Sequence, residues 1–325
     1  MKVFVHKGIE LMVVLSIISD CELKIKMPSM FSGSPQYIGK INAEFEKYKY
    51  HKIVHKFKEL QFGFGAISWG NVLDENYQLD QTRIAIKLSQ EQKEFFDLLP
   101  EFAKEIGFDS FFKENQPFYK DICKEYNLFL VESNYENFMK CFYKNDCTLE
   151  DDRTFVLLPA IYQLGMCLQN GKVCCASVQE IDTNGKSHFV DKEAKQFKVA
   201  STAVHEFSHP IIDLLTKQYF ENHERFVIDT SLTQSAGVYK NEQVINDTII
   251  EAILSIYLEQ KGAKEYKNKR ISERKKVGFN LIEPLAEFIK EYTNNIEEYN
   301  SFSEFFPRVM NFLEEQVKIK DIETE

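Results

Sequence analysis

No stretch of the chain approaches the ~20 consecutive apolar residues that a membrane-spanning helix needs, so no span is expected. Positive charge is also short: 40 Lys and Arg stand against 50 Asp and Glu, a formal net charge of -10. That sign repels phosphate backbones, and no Lys/Arg stripe interleaved with aromatics offsets it, so nucleic acid is not an expected partner. Internal repeats and low-complexity segments are missing. The seven cysteines are odd in number and lack the spacing of a disulfide framework, which points to reduced thiols. Cys174 and Cys175 are adjacent, not a Cys-x-x-Cys, and together with Cys141 and Cys147 they read as buried apolar thiols rather than a zinc site. The densest basic run, residues 264–276, alternates with Glu265 and Glu273 and reads as a solvated helix face.

What is present is a globular composition. Apolar residues make up 44% of 325, with 28 Phe and 15 Tyr, and a chain of this length buries roughly 75% of its unfolded surface. The apolar run at residues 11–18 is too short for a signal-peptide core, follows His6, Lys7 and Glu10, and lacks a small-residue cleavage site. It reads as a buried strand, and the expected location is cytoplasmic; a different start codon would leave secretion open.

Residues 3–18 are expected as strand, followed by a Pro/Ser/Gly loop over residues 27–39. Helices should then dominate to about residue 147. Residues 42–60 place Phe45, Tyr48, Ile53 and Phe57 at helical intervals, and the pairs Ser89/Gln92, Ser133/Glu136 and Ser301/Glu304 are capping-box signals. Residues 155–161 and 173–178 are β-rich on either side of Asn170-Gly171, a tight-turn dipeptide; a second turn signal sits at Asn184-Gly185. From Lys198 the pattern is helical again. The fold class is α+β, mostly helical with a small mixed sheet, in a single unit over residues 1–325 whose N-terminal part ends near residue 150.

Residues 199–215 carry His205-Glu206-Phe207-Ser208-His209. At 3.6 residues per turn the two histidines share a helix face about 6 Å apart, so both rings can converge on a Zn²⁺ with bonds of ~2.0–2.1 Å. Glu206, rotated by about 100°, reaches the open coordination position instead and is placed to take a proton from water. Pro210 removes the hydrogen bond to the Glu206 carbonyl and predicts a kink after the second ligand. His51 and His55 repeat the spacing without a glutamate, since Lys52 stands there, and read as a packed or surface pair.

A catalytic zinc uses three protein ligands plus water. The third is sought on the helix holding Asn246, Asp247 and Glu251, whose apolar residues Val244, Ile245, Ile249, Ile250, Ile253 and Leu254 mark it as core-packed. Asp247 and Glu251 share a face, so one can bind the metal while the other orients a ligand histidine.

The His-Glu-x-x-His motif followed by an Asn-acid-x-x-x-acid helix resembles the gluzincin branch of zinc metallopeptidases. The resemblance implies a zincin-like fold, Asp247 as third ligand and Glu251 as the residue supporting a histidine. A closer resemblance, over nearly the whole chain, is to a bacterial family of uncharacterised metallopeptidase-like proteins, a domain of unknown function. It is carried by residues 9–12 running into Ile17-Ile18, the Phe207-Ser208 insert, Tyr239 ahead of Asn246, Ala252-Ile253, Gly278-Phe279, Tyr299 and Phe305. That family has glutamate where Asp247 stands, so Glu251 or Glu242 remains an alternative ligand.

The resemblance also implies a substrate laid along a sheet edge, for which residues 164–168 are the candidate. Tyr239 and His223 are candidates for a donor to the developing oxyanion. The expected activity is peptide-bond hydrolysis with one Zn²⁺, a peptide or protein as partner and Glu206 as general base. The alternatives are a zinc amidase of another substrate and a non-cleaving, metal-containing binding module.

Overall fold

The apolar N-terminal run is a helix. Strand β1 (Lys2–Phe4) is short, and His6 then caps α1 (Lys7–Ile18), its Nδ1 accepting from the Ile9 N–H at 3.3 Å. The strand expected over residues 3–18 therefore ends at Phe4. A short apolar run lacks the polar alternation that separates a strand from a buried helix, and α1 is buried on nearly every side.

The computed structural model describes residues 1–19, 34–62, 65–84, 87–147, 153–161, 165–178, 192–228 and 241–324. These fall into two compact units, the first drawn from residues 1–127, 154–168 and 175–190, the second from 128–153, 169–174 and 191–325. The protein is mostly helical, with one small mixed sheet. Among the described residues no helix is long and apolar enough to cross a membrane.

In the first unit, α2 (Pro35–Phe45) opens on Pro35 after the Ser34 cap, inside the stretch expected as loop; residues 27–33 of that stretch lie outside the described residues. Residues 42–60 are not one helix. A 3-10 turn at Glu46–Tyr48 separates α2 from α3 (Lys52–Leu60), because His51 is extended and its Nδ1 accepts from the Ile53 N–H. His51 is thus a helix cap and His55 is exposed, in keeping with a non-metal reading of that pair. α4 (Gly65–Asn71) crosses α1 backbone to backbone: a Cβ on Gly8 would stand 2.5 Å from the Gly70 carbonyl oxygen, so only glycine permits the approach. α5 (Gln90–Glu105) begins with the full Ser89/Gln92 capping box. α6 (Phe108–Glu114) and α7 (Gln116–Ser133) follow.

Glu10 is a carboxyl group in the apolar α1. It is wholly buried; its Oε1 accepts from the Tyr37 hydroxyl at 2.9 Å, the Tyr37 hydroxyl lies 2.6 Å from that of Tyr119, and Oε2 has no partner among the described residues. Burial pushes the Glu10 carboxyl up to about 8 against the pull of the Tyr37 hydrogen bond. The folded chain therefore keeps a proton that the unfolded chain releases near ~4.3, so stability falls as pH rises between those values, by at most about 1.4 kcal/mol per pH unit. Glu10→Gln should flatten that slope in urea unfolding between pH 5 and 8; an unchanged slope would remove Glu10 as its source.

In the second unit, α8 (Tyr135–Tyr143) starts after Asn134 at φ 52°, without the expected Ser133/Glu136 box: the Ser133 hydroxyl donates to the Leu130 carbonyl instead. The sheet, drawn mostly from the first unit, comprises β1, β2 (Thr154–Leu158), β3 (Gly165–Leu168) and β4 (Val173–Ser177) in the order β1-β2-β4-β3. β1 runs parallel to β2 with Val3 opposite Phe155, so residues 5–153 form the crossover between them. β2 and β4 are neighbours as their apolar runs suggest, but the turn at Gln169–Gly171 joins β4 to β3, a strand at the sheet edge. Residue 164 and the Asn184-Gly185 turn lie outside the described residues. Cys174 and Cys175 are buried in β4, whereas Cys141 is exposed.

The remaining helices are α9 (Lys192–Phe220), α10 (Asn241–Gln260), α11 (Lys264–Lys275), α12 (Ile282–Asn294) and α13 (Phe302–Thr324). α9 packs on α10, and α10 also packs on α12. At the start of α13, Glu304 accepts from the Asn300 N–H rather than from Ser301, one residue earlier than its box predicts.

Candidate metal centre

α10 is buried over residues 244–258, all round its axis, as a helix through the middle of a packed unit must be. Carboxylates cannot sit there alone, because an isolated buried charge is strongly penalised unless paired or coordinating. Asp247 and Glu251 are 5% and 3% exposed, and the partners of both come from α9 and α11.

α9 supplies the histidines. His205 Nε2 and His209 Nε2 lie 3.3 Å apart, and Asp247 Oδ1 stands 3.8 Å from the first and 3.6 Å from the second. Two donors on one tetrahedral zinc at ~2.0–2.1 Å would be about 3.3–3.4 Å apart. The histidine pair has that spacing already, and the carboxylate lies a few tenths of an ångström outside it. His205, His209 and Asp247 form a group that could hold a metal ion, all three ligand atoms lying within 4.8 Å of one another.

Behind this triad each histidine has a carboxylate on its other nitrogen. Glu251 Oε1 is 3.3 Å from His205 Nδ1, though off the line of a hydrogen bond. His209 Nδ1 is 3.2 Å from Asp213 Oδ1, which accepts from the Asn246 side-chain amide at 2.7 Å. His205, His209 and Asp213 thus repeat at i+4 along one face of α9. Burial works against a charge on His209, but its bond to Asp213 and the carboxylates of Glu206 and Asp247 raise it to about 9.

Glu251 is gripped by α11. Arg270 donates Nε to Oε2 and Nη2 to Oε1, both at 2.7 Å, while Arg274 donates Nε and Nη2 to Oε1 at 3.0 and 2.6 Å. Burial alone would raise the Glu251 carboxyl, but the two guanidinium charges hold it well below the usual carboxylate range. The basic run is therefore not only a solvated face: alternation with acids hid the i, i+4 pair that turns inward. Lys198, two helical turns before His205, is pulled down to about 8 by burial and by the Arg270 and Arg274 charges.

Glu206 is buried, and burial pushes its carboxyl above the ordinary range while His205 and His209 pull it down. Among the described residues it has no hydrogen-bond or ion-pair partner. The residues between the histidines anchor the helix: Phe207 stacks on Tyr135 at 6.1 Å, with Arg153 4.8 Å from its ring centre, and the Ser208 hydroxyl donates to the Val204 carbonyl. Helix α9 continues through Pro210 to Phe220, and the proline ring fills the space where a Gly171 side chain would be, 2.5 Å from an added Cβ.

A family model described as a domain of unknown function (DUF4932) matches residues 1–312. The chain belongs to that family. No curated protein and no solved structure matches it. Within this DUF4932 chain the remaining described candidates, His223 and Glu242, are engaged with other partners. Tyr239 is outside the described residues. His223 stacks on Tyr219 at 4.0 Å, its Nδ1 2.9 Å from the Tyr219 carbonyl, and Glu242 pairs with Arg225. Asp213, Arg270 and Arg274 are absent from the sequence reading of the site, and Asn246 enters it only as part of the acidic motif, not as a donor to Asp213. Asp213 carries a readable signal as the next i+4 step after His209, and Asn246 as the first residue of the acidic motif.

Proposed function

We propose that the chain is a zinc-dependent peptidase of zincin-like fold in which His205, His209 and Asp247 hold one ion and Glu206 is the general base. The observation that carries this reading is the approach of two imidazole nitrogens and one carboxylate oxygen to mutual distances of 3.3–3.8 Å, on a helix where glutamate follows the first histidine. The gluzincin pattern supports it: Asp247 takes the ligand position and Glu251 the supporting one. The donor set suits zinc, which accepts imidazole and carboxylate together. When bound, zinc lowers the pKa of water and polarises the scissile carbonyl.

The remaining work falls to the chain. Glu206 accepts the proton of the attacking water and returns it to the leaving amine, a task helped by burial, which raises its carboxyl above the ordinary range. Asp213 and Glu251 aim the two histidines by their second nitrogens. In the metal-free protein His209 holds a proton up to about 9, so metal uptake releases it and apparent affinity rises with pH below that value.

The test is zinc titration of metal-free protein, with hydrolysis of a mixed peptide library followed by mass spectrometry. Cleavage should appear with the first equivalent of zinc and vanish with a chelator. Tight uptake of one zinc without cleavage of any peptide would leave the metal-containing binding module, and uptake of none would end the metal reading.

A further inference from the structure

We propose that Arg270 and Arg274 are positioning residues of the metal centre, acting through Glu251 on His205; the inference rests on the metal reading above. One guanidinium suffices to neutralise a single buried carboxylate. Here two fork onto it from successive turns of α11, making four hydrogen bonds of 2.6–3.0 Å to a residue 3% exposed. Charge balance alone does not require both to bind the same carboxylate, since Arg274 also feels the Asp247 charge and Arg270 that of Glu206. What the second arginine adds is direction: with Arg270 spanning both oxygens and Arg274 doubly bound to Oε1, the carboxylate cannot rotate about its Cγ–Cδ bond.

Direction matters because Oε1 is also the atom 3.3 Å from His205 Nδ1. The opposite ring nitrogen, Nε2, points at His209 and Asp247. Rotation of Glu251 would carry Oε1 away from His205 Nδ1, and the opposite end of the ring would lose its aim. The route from guanidinium to carboxylate to imidazole runs entirely through side chains of α11, α10 and α9. Lysine cannot replace this function, since an ammonium carries the charge without the planar fork.

The experiment uses the full chain and reads zinc affinity by chelator competition, with the visible absorption bands of the Co²⁺-loaded protein as a record of ligand geometry. The double variant Arg270→Lys/Arg274→Lys keeps both charges and should bind zinc about 10–100-fold more weakly, the range seen when outer-shell partners of metal ligands are changed, with shifted Co²⁺ bands. Glu251→Ala should lose as much, and adding the lysine changes to it should cost little more. Unchanged affinity and spectrum in the folded double variant overturn the proposal, and so does an equal loss in both backgrounds. If the double variant does not fold, Arg274→Lys alone is read in the same way. A wild-type chain that takes up neither zinc nor cobalt overturns this inference together with the metal reading, whereas a zinc-binding wild type with unaffected lysine variants overturns the arginine role only.

Discussion

Glu206→Gln should keep one zinc per chain and lose about 10²–10⁴ of peptide turnover, the usual contribution of a positioned general base. Glutamine matches the shape of the buried side chain, so packing is preserved, but it cannot accept a proton. The residue has nothing else to do in the site: it has no ion pair among the described residues, and the ligand atoms belong to its neighbours. Metal content by elemental analysis and turnover under saturating zinc separate the two effects. Loss of zinc along with turnover would make Glu206 a ligand, and full retention of turnover would remove it from the mechanism.

Asp247→Ala is expected to cost more zinc affinity than any outer-shell change, beyond the 10–100-fold typical of those. Two imidazoles alone leave a catalytic zinc a protein ligand short. Glu251 cannot take the vacated place, because its oxygens are committed to Arg270 and Arg274. Asp247→Glu should restore much of the loss, since the carboxylate oxygen now lies slightly beyond ideal spacing and one methylene extends its reach. Chelator competition on the variants decides between the candidates: if Glu251→Gln proved as damaging as Asp247→Ala, or Asp247→Ala kept wild-type affinity, the assignment of the third ligand would be wrong. The Asp247→Ala chain should also hold a less basic His209, because the Asp247 charge helps to raise it.

Much of this site is legible in the sequence. The i, i+4 histidines and the acids of α10 announce themselves because helical geometry converts spacing into a shared face, and an acid on an otherwise apolar helix demands a partner. The elements misread share a different cause. The α1 sequence reads as strand because a run buried on nearly every side has no period. Residues 42–60 looked continuous because apolar spacing survives a break, and nothing local reveals that His51 turns its ring to cap the next helix. Ser133 and Glu136 have box spacing, yet the backbone at Asn134 is left-handed and the hydroxyl turns back to Leu130.

The chain's own residues determined the His-Glu-x-x-His helix, its glutamate, the acidic partner helix and the acidic, mostly helical character, all of which follow from local periodicity and charge. Tertiary structure alone decided that Asp247 faces the histidines while Glu251 stands behind His205, and that two residues of a charge-alternating helix close on Glu251. Such choices depend on which faces of α9, α10 and α11 meet, and that is settled by the collective burial of many apolar side chains rather than by the spacing of any few.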